Sequence, residues 1–283
     1  MKKGLILEGG AMRGLFTAGI LDVFMENKIE FDGLIGVSAG AVFGCNYKSG
    51  QIGRTLRYNL KYCRDRRYCS FWNIIRYGDM YPKKFCYHDI PEVLDVFDKD
   101  AFNSNPMKFY VVATDVESGK PVYKCFDRTE GEYLEFMRAS ASMPFVSRVV
   151  KAYGYKMLDG GISDSIPLEF FEKEGYDRNI VITTREKGYV KEKNPLSWLG
   201  HIMLRKYPNM IKAIYDRHIM YNNQTKYIEE RENSGAVLVI RPEKPLELKH
   251  AEHDPAKLQK AYDYGREIAL KVLPQVKRFL ETE

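Results

Sequence analysis

Gly36-Val37-Ser38-Ala39-Gly40 is the first stretch of the chain whose residue types could do chemistry. It fits G-x-S-x-G, in which flanking glycines permit a strained strand-to-helix turn that lifts a serine hydroxyl clear of the backbone. Alone the match is weak, because a shuffled chain with the same 22 glycines contains it with probability roughly 0.07. Its neighbours strengthen it: the apolar run 34–37 precedes it and the small-residue segment 39–47, read as a helix, follows. Ser38 then sits at a helix N-terminus, whose partial positive charge stabilises an alkoxide or an oxyanion.

Gly9-Gly10-Ala11-Met12-Arg13-Gly14 is a second glycine turn at a helix start. The free N–H groups of such a turn suit an oxyanion hole or, as the competing reading, a dinucleotide phosphate. The GGxxxG spacing departs from GxGxxG, and a nucleotide loop gives no account of the pentad that follows. A third stretch, Asp159-Gly160-Gly161, ends an expected strand and by itself reads as an ordinary turn. Serine hydrolases of the commonest type order serine, acid and histidine along the chain, and His201, His218, His250 and His253 are available. That fold places its nucleophile after several strands, whereas Ser38 follows one strand-helix unit. The histidines are read as surface or core residues, since no pair has metal-ligand spacing. No metal and no cofactor is implied.

The elements that must position these residues can be read from periodicity. Strand 3–7, the Gly9-Gly10 break and helix 13–27 are repeated as strand 34–37 and helix 39–47. Two consecutive strand-helix units predict an α/β fold with a mainly parallel central sheet covered by helices on both faces. Hairpins are expected at 108–114 with 122–126 and at 149–152 with 155–158, a helix at 132–141, and strands at 179–183 and 237–241. Segment 195–232 has apolar residues at helical spacing and reads as core packing or as a cap over a site, with core packing the stronger reading. Asp254 followed by Pro255 marks the start of a last helix, to about Leu280. With no repeat or linker, 1–283 reads as one domain.

Composition narrows the class. Hydrophobic residues at 45% and charged residues at 29% match globular proteins and exclude disordered or collagen-like chains. The apolar run after Lys2 and Lys3 is too short for a signal-peptide core, and no stretch is long enough to span a bilayer. Five cysteines without a CxxC pair argue against a disulfide framework. These features lead us to expect a soluble, cytoplasmic protein, peripheral to a membrane at most. Residues 51–87 hold nine Lys/Arg and two Asp, with Arg54, Arg57, Lys61 and Arg64 on one helix face among Tyr58, Tyr62, Tyr68, Phe71 and Trp72. The segment reads as a solvated face or as a patch that touches an anionic membrane surface, with nucleic acid the weakest reading.

Taken together, the glycine turn, the GxSxG elbow and the later Asp-Gly-Gly resemble the patatin-like phospholipase family, from Gly4 to about Pro167 and including Ala139-Ser140-Ala141-Ser142-Met143-Pro144. The resemblance implies a three-layer α/β/α fold and hydrolysis of fatty-acyl esters in phospholipid, lysophospholipid or neutral lipid. It implies a Ser38 and Asp159 dyad, an oxyanion hole at Gly9, Gly10 and Ala11, and supporting roles for Arg13, Gly14, Gly36, Gly40, Gly160 and Gly161. The family turn usually reads Asp-Gly-Gly-Gly-x-Arg-Gly; here Glu8 replaces the aspartate and Ala11 the third glycine. Alanine tolerates positive φ poorly, so a left-handed backbone at this position would be strained. A non-catalytic lipid-binding protein on the same fold is the alternative from another class.

Overall fold

The alternating apolar run Leu5-Ile6-Leu7 can serve two layers, because successive strand side chains point to opposite faces. In the computed structural model, which describes residues 1–281, Leu5 and Leu7 pack with Phe16, Ile20 and Ile268 on one face, while Ile6 packs with Tyr221 and Ile228 on the other. The chain runs β1 (Lys2–Leu7), α1 (Gly14–Glu26), β2 (Gly33–Val37), α2 (Ala39–Lys48), α3 (Arg54–Tyr62) and α4 (Phe71–Tyr77). A π-helical segment, Phe85–Leu94, leads to α5 (Lys99–Ser104), β3 (Lys108–Asp115), β4 (Pro121–Phe126), α6 (Tyr133–Ser140), β5 (Val150–Ala152) and β6 (Tyr155–Asp159). The remainder is α7 (Leu168–Lys173), β7 (Tyr176–Ile182), α8 (Leu199–Met203), α9 (Pro208–Asn233), β8 (Val237–Ile240) and α10 (Pro255–Glu281).

The strands form one sheet in the order β5-β6-β3-β2-β1-β7-β8, with β4 paired to β3. β8, β7, β1, β2 and β3 are mutually parallel, and the two hairpins add antiparallel strands at the β3 side. From β1 the chain first adds β2 on one side and later β7 on the other. Such a reversal of strand order opens a crevice at the carboxyl ends of the strands, where ligands of open α/β sheets bind. α1 and α10 cover one face and cross closely, with room only for glycine at Gly265 against the Phe16 carbonyl. The strands and helices expected from periodicity are present, and the sheet carries helices on both faces.

The 195–232 segment is not a continuous helix. Pro208 opens α9 and the chain breaks ahead of it, since proline has no N–H to give the preceding turn. Met210, Ile211, Ile214, Tyr221 and Ile228 of α9 are buried, as core packing requires, but Trp198, Ile202 and Met203 face solvent. Residues 51–87 also depart from a solvated basic face. Arg54 is buried: its guanidinium bonds Asn46 Oδ1 at 2.8 Å and the Asp95 carbonyl at 2.6 Å, and Arg57 pairs with the Asp95 carboxylate at 2.8 Å. Tyr58, Tyr62 and Tyr68 lie in the core beside them, leaving Phe71, Trp72, Lys61 and Arg64 outside.

Candidate active site

β3 aligns the two principal groups. Its first half pairs with β2, ending at Val37 opposite Val112, and its last residues pair with β6, where Asp159 lies opposite Ala113. Because β4 occupies the other edge of β3 throughout, β2 and β6 abut end to end on the same edge. Ser38, the residue after β2, and Asp159, the last residue of β6, therefore meet at the crevice.

Ser38 has φ +54° and ψ −122°, a conformation that non-glycine residues rarely adopt and that is typical of a strained nucleophile elbow. Two neighbours must be glycine for the turn to close. A Cβ on Gly36 would lie 2.5 Å from the Ala41 nitrogen, and one on Gly40 would lie 2.5 Å from the Leu7 carbonyl. The Ser38 N–H donates to Ser140 Oγ at 2.9 Å, so a wholly buried hydroxyl from α6 holds the elbow. Ser140 belongs to the segment Ala139-Ser140-Ala141-Ser142, and only the fold brings it to the elbow.

The first glycine turn lies directly against the elbow, with Gly9 at the Val37 carbonyl and Ser38 Cβ, Gly10 at Thr184 and Gly14 at the Phe43 ring. Among the described residues no acceptor is bonded to the N–H of Gly9 or Gly10. Ala11 has φ +48°, so the strain expected of alanine here is present. Glu8, in place of the shorter aspartate, is buried; its carboxylate accepts from the Thr184 N–H at 2.5 Å and the Tyr221 hydroxyl at 2.8 Å. This clamp ties the ends of β1 and β7 to α9. Arg13 is buried beside it, and its Nε has no hydrogen-bond partner.

Asp159 is 5% exposed. Its N–H donates to the Ser142 carbonyl at 2.8 Å, its carbonyl accepts from Thr114 Oγ1 at 2.8 Å, and its Oδ1 accepts from the Gly161 N–H at 2.8 Å. Burial pushes the carboxyl pKa above 3.8, opposed by hydrogen bonding from Ser38 and by the charge of Arg217. Gly160 passes over the Val112 carbonyl too closely for any side chain. Asp115, by contrast, caps the β3-β4 turn through the Ser118 N–H at 2.9 Å and takes no part in the site.

Two cavities meet at Ser38. One, of about 140 Å³, is apolar and aromatic, walled by Val42, Phe43, Tyr58, Tyr87, Ile90 and Met137. The other, of about 860 Å³, contains Asp159 and the glycine turn and is lined by six Lys/Arg residues, Arg13, Arg185, Lys191, Lys193, Arg217 and Lys249, against three carboxylates, Glu8, Asp159 and Glu192. His250 lies at its edge and is exposed, in line with the surface reading of the histidines. His201 is exposed, and His218 and His253 bond the carbonyls of Tyr215 and Cys63. The cationic lining was not evident from the sequence, because its members come from four unrelated segments.

A family model described as patatin-like phospholipase matches residues 5–171, more than half of the chain, and the chain belongs to that family. A second model, described as a domain of unknown function, matches residues 207–281. The uncharacterized protein YjjU of Escherichia coli is 29% identical over 263 residues, covering 86% of this chain and 69% of that protein. Lysophospholipase NTE1 of Scheffersomyces stipitis is 24% identical over 296 residues and covers 95% of this chain, which spans only 18% of that protein. The crystal structure of VipD from Legionella pneumophila aligns with a TM-score of 0.46 at 13% identity, over 97% of this chain and 67% of that one. Among the described residues no helix is long and apolar enough to cross a membrane.

Proposed function

We propose that the chain is a serine acyl hydrolase that cleaves fatty-acyl esters of phospholipid, lysophospholipid or neutral lipid through a dyad of Ser38 and Asp159. The observation that carries this reading is the position of Ser38: it faces a buried carboxylate, with an apolar pocket on one side and a polar cavity on the other. Asp159 takes the hydroxyl proton as Ser38 attacks the ester carbonyl, and returns it to the leaving alcohol. Water then attacks the acyl-serine, with Asp159 again as base. The N–H groups of Gly9, Gly10 and Ala11 hold the oxyanion; losing one such donor typically costs about 100-fold to 1,000-fold in rate. A free aspartate is a poor base for a serine hydroxyl, and burial, which raises the Asp159 pKa, narrows the gap. Residues 195–283 act with this core as one domain in our reading, supported by β8 in the common sheet and α10 on α1.

A fluorophosphonate probe tests the nucleophile. Mass spectrometry of the labelled protein is expected to place the adduct on Ser38, and labelling with turnover that persists in Ser38→Ala would reject the assignment. Vesicle binding without ester turnover would instead favour a non-catalytic lipid-binding protein.

We further propose that the protein works as a transient visitor to an anionic lipid surface. Phe71, Trp72 and Ile75 of α4 are 75%, 66% and 78% exposed, and Phe71 reaches the edge of the larger cavity. Arg64, Arg66 and Arg76 are exposed within the same segment. Apolar side chains flanked by such cations suit an anionic lipid interface. Flotation with anionic vesicles should weaken roughly tenfold in a Phe71→Ala, Trp72→Ala double variant; unchanged flotation would remove this role.

A further inference from the structure

We propose that the larger cavity selects an acyl ester whose headgroup carries a phosphate with net negative charge, held by Arg13, Arg185, Lys191, Arg217 and His250. The proposal rests on the acyl hydrolase reading and adds to it a substrate class.

The five residues come from the start of α1, the loop after β7, α9 and the loop before α10, yet all line one cavity with Ser38 and Asp159. None of the four Lys/Arg side chains has an acidic partner within ion-pair distance among the described residues. Arg13 is the clearest case, more than nine-tenths buried with Nε unbonded. Arg217 gives its Nε to the Gly161 carbonyl at 2.6 Å. Glu8, a carboxylate of the same cavity, is already bonded to Thr184 and Tyr221.

Desolvation first, and repulsion between the cations after it, lowers the pKa values of the group. Burial, then the neighbouring Arg217, lowers the Lys191 pKa to about 8, with Arg13 and Arg185 adding to the effect. His250 is exposed at the cavity's edge, and desolvation there, then Arg13, Arg217, Arg185 and Lys191, moves its pKa down. Burial and Arg185 bring Arg13 below its ordinary value. A phosphate among these groups would relieve the repulsion and satisfy the open donors, since guanidinium forks match phosphate oxygens.

The same lining disfavours zwitterionic headgroups. A quaternary ammonium binds best over aromatic faces or beside a carboxylate. Here Arg185 stacks on the Tyr189 ring at 4.2 Å and Lys191 lies over the Tyr221 ring at 4.8 Å, so each ring already carries one of the protein's own cations. Glu8 is bonded to Thr184 and Tyr221 and Asp159 to the Gly161 N–H, so a choline group would find Glu192 as its counter-charge against six Lys/Arg.

The test compares three substrates with one octanoyl chain, kept as monomers: 1-acyl-glycerol 3-phosphate, the corresponding phosphocholine ester and the uncharged monoacylglycerol. We expect kcat/KM for the phosphate ester to exceed that of both others by at least about tenfold, and this ratio to fall by about tenfold or more in Arg185→Gln and Lys191→Gln. Equal or better turnover of the phosphocholine ester would overturn the assignment. Calorimetry on Ser38→Ala protein separates this from the hydrolase reading, with glycerol 3-phosphate and inorganic phosphate as probes. Binding of glycerol 3-phosphate by a protein that turns over no ester would reject the hydrolase and keep the anion site. Binding of inorganic phosphate alone would reject a headgroup site, and binding of neither would reject the cluster as an anion site.

Discussion

The two sides of Ser38 are built differently. The apolar pocket draws on residues 11–143, on elements that flank the elbow in sequence, whereas the cationic cavity needs side chains from residue 8 to residue 251. One side is a cleft in a conventional core and gains stability from being apolar. The other gathers like charges, Arg13 buried and Arg185, Lys191 and Arg217 half-buried, and loses stability by doing so, a cost that proteins accept mainly where a charge is to be bound or moved. The apolar pocket would therefore tolerate change as a matter of volume, and the cationic cavity as a matter of charge.

The largest effect that would break this contrast lies at Asp159. Asp159→Asn should lose about 1,000-fold or more of ester turnover with the fold intact. Because the folded pKa lies above 3.8, this carboxyl adds most to stability below that value and the contribution is lost as pH rises through the folded pKa. At neutral pH the variant should thus melt no lower than the parent, and a large fall in melting temperature would argue for a structural role. Asp159 must be ionised to act, so kcat/KM should fall on the acid side through a pKa above 3.8. The charges and donors facing it are Ser38, Arg217 and the Gly161 N–H; removing the positive one in Arg217→Gln should move that limb to higher pH. A limb that stays in place would disconnect the two sides.

A smaller effect should define the apolar side. A cavity of about 140 Å³ is close to the engineered cavity of about 150 Å³ that holds benzene, so it takes on the order of six to eight acyl carbons before side chains must move. Rates on a p-nitrophenyl ester series should peak near that length, and Val42→Phe should lower the longer esters roughly tenfold relative to acetate. A flat series in both proteins would remove the pocket as the acyl site. The smallest effect is at Ala11, whose φ of +48° suits glycine. Ala11→Gly should raise stability by about 0.5–1 kcal/mol in chemical denaturation, since relief of left-handed strain exceeds the added chain entropy; a loss would mean that the Ala11 methyl is needed for packing.

The same contrast explains what could be read in advance. β1, β2, the elbow and both hairpins were legible because glycine turns and apolar alternation are local signals. Asp159 became a candidate only in company with the upstream motifs, through family resemblance. Arg54 was misjudged because helical spacing shows a face but not its partner: Asp95 lies 41 residues away. Arg185, Lys191, Arg217 and His250 follow no shared period or motif, and only the closing of α9 and α10 over the sheet collects them. The Glu8 clamp was hidden likewise, since Thr184 is 176 residues from it.

The end-to-end meeting of β2 and β6 along β3 has a bearing on how this molecule can vary. The distance between hydroxyl and carboxylate is set by hydrogen-bond register along a single strand, so a slip of one residue would turn Asp159 to the opposite face of the sheet. The excursion from α3 to α5, residues 54–104, pairs with none of these strands. That segment can therefore lengthen, shorten or be exchanged without disturbing the proposed pair of Ser38 and Asp159, while a single-residue deletion within 108–115 would separate it.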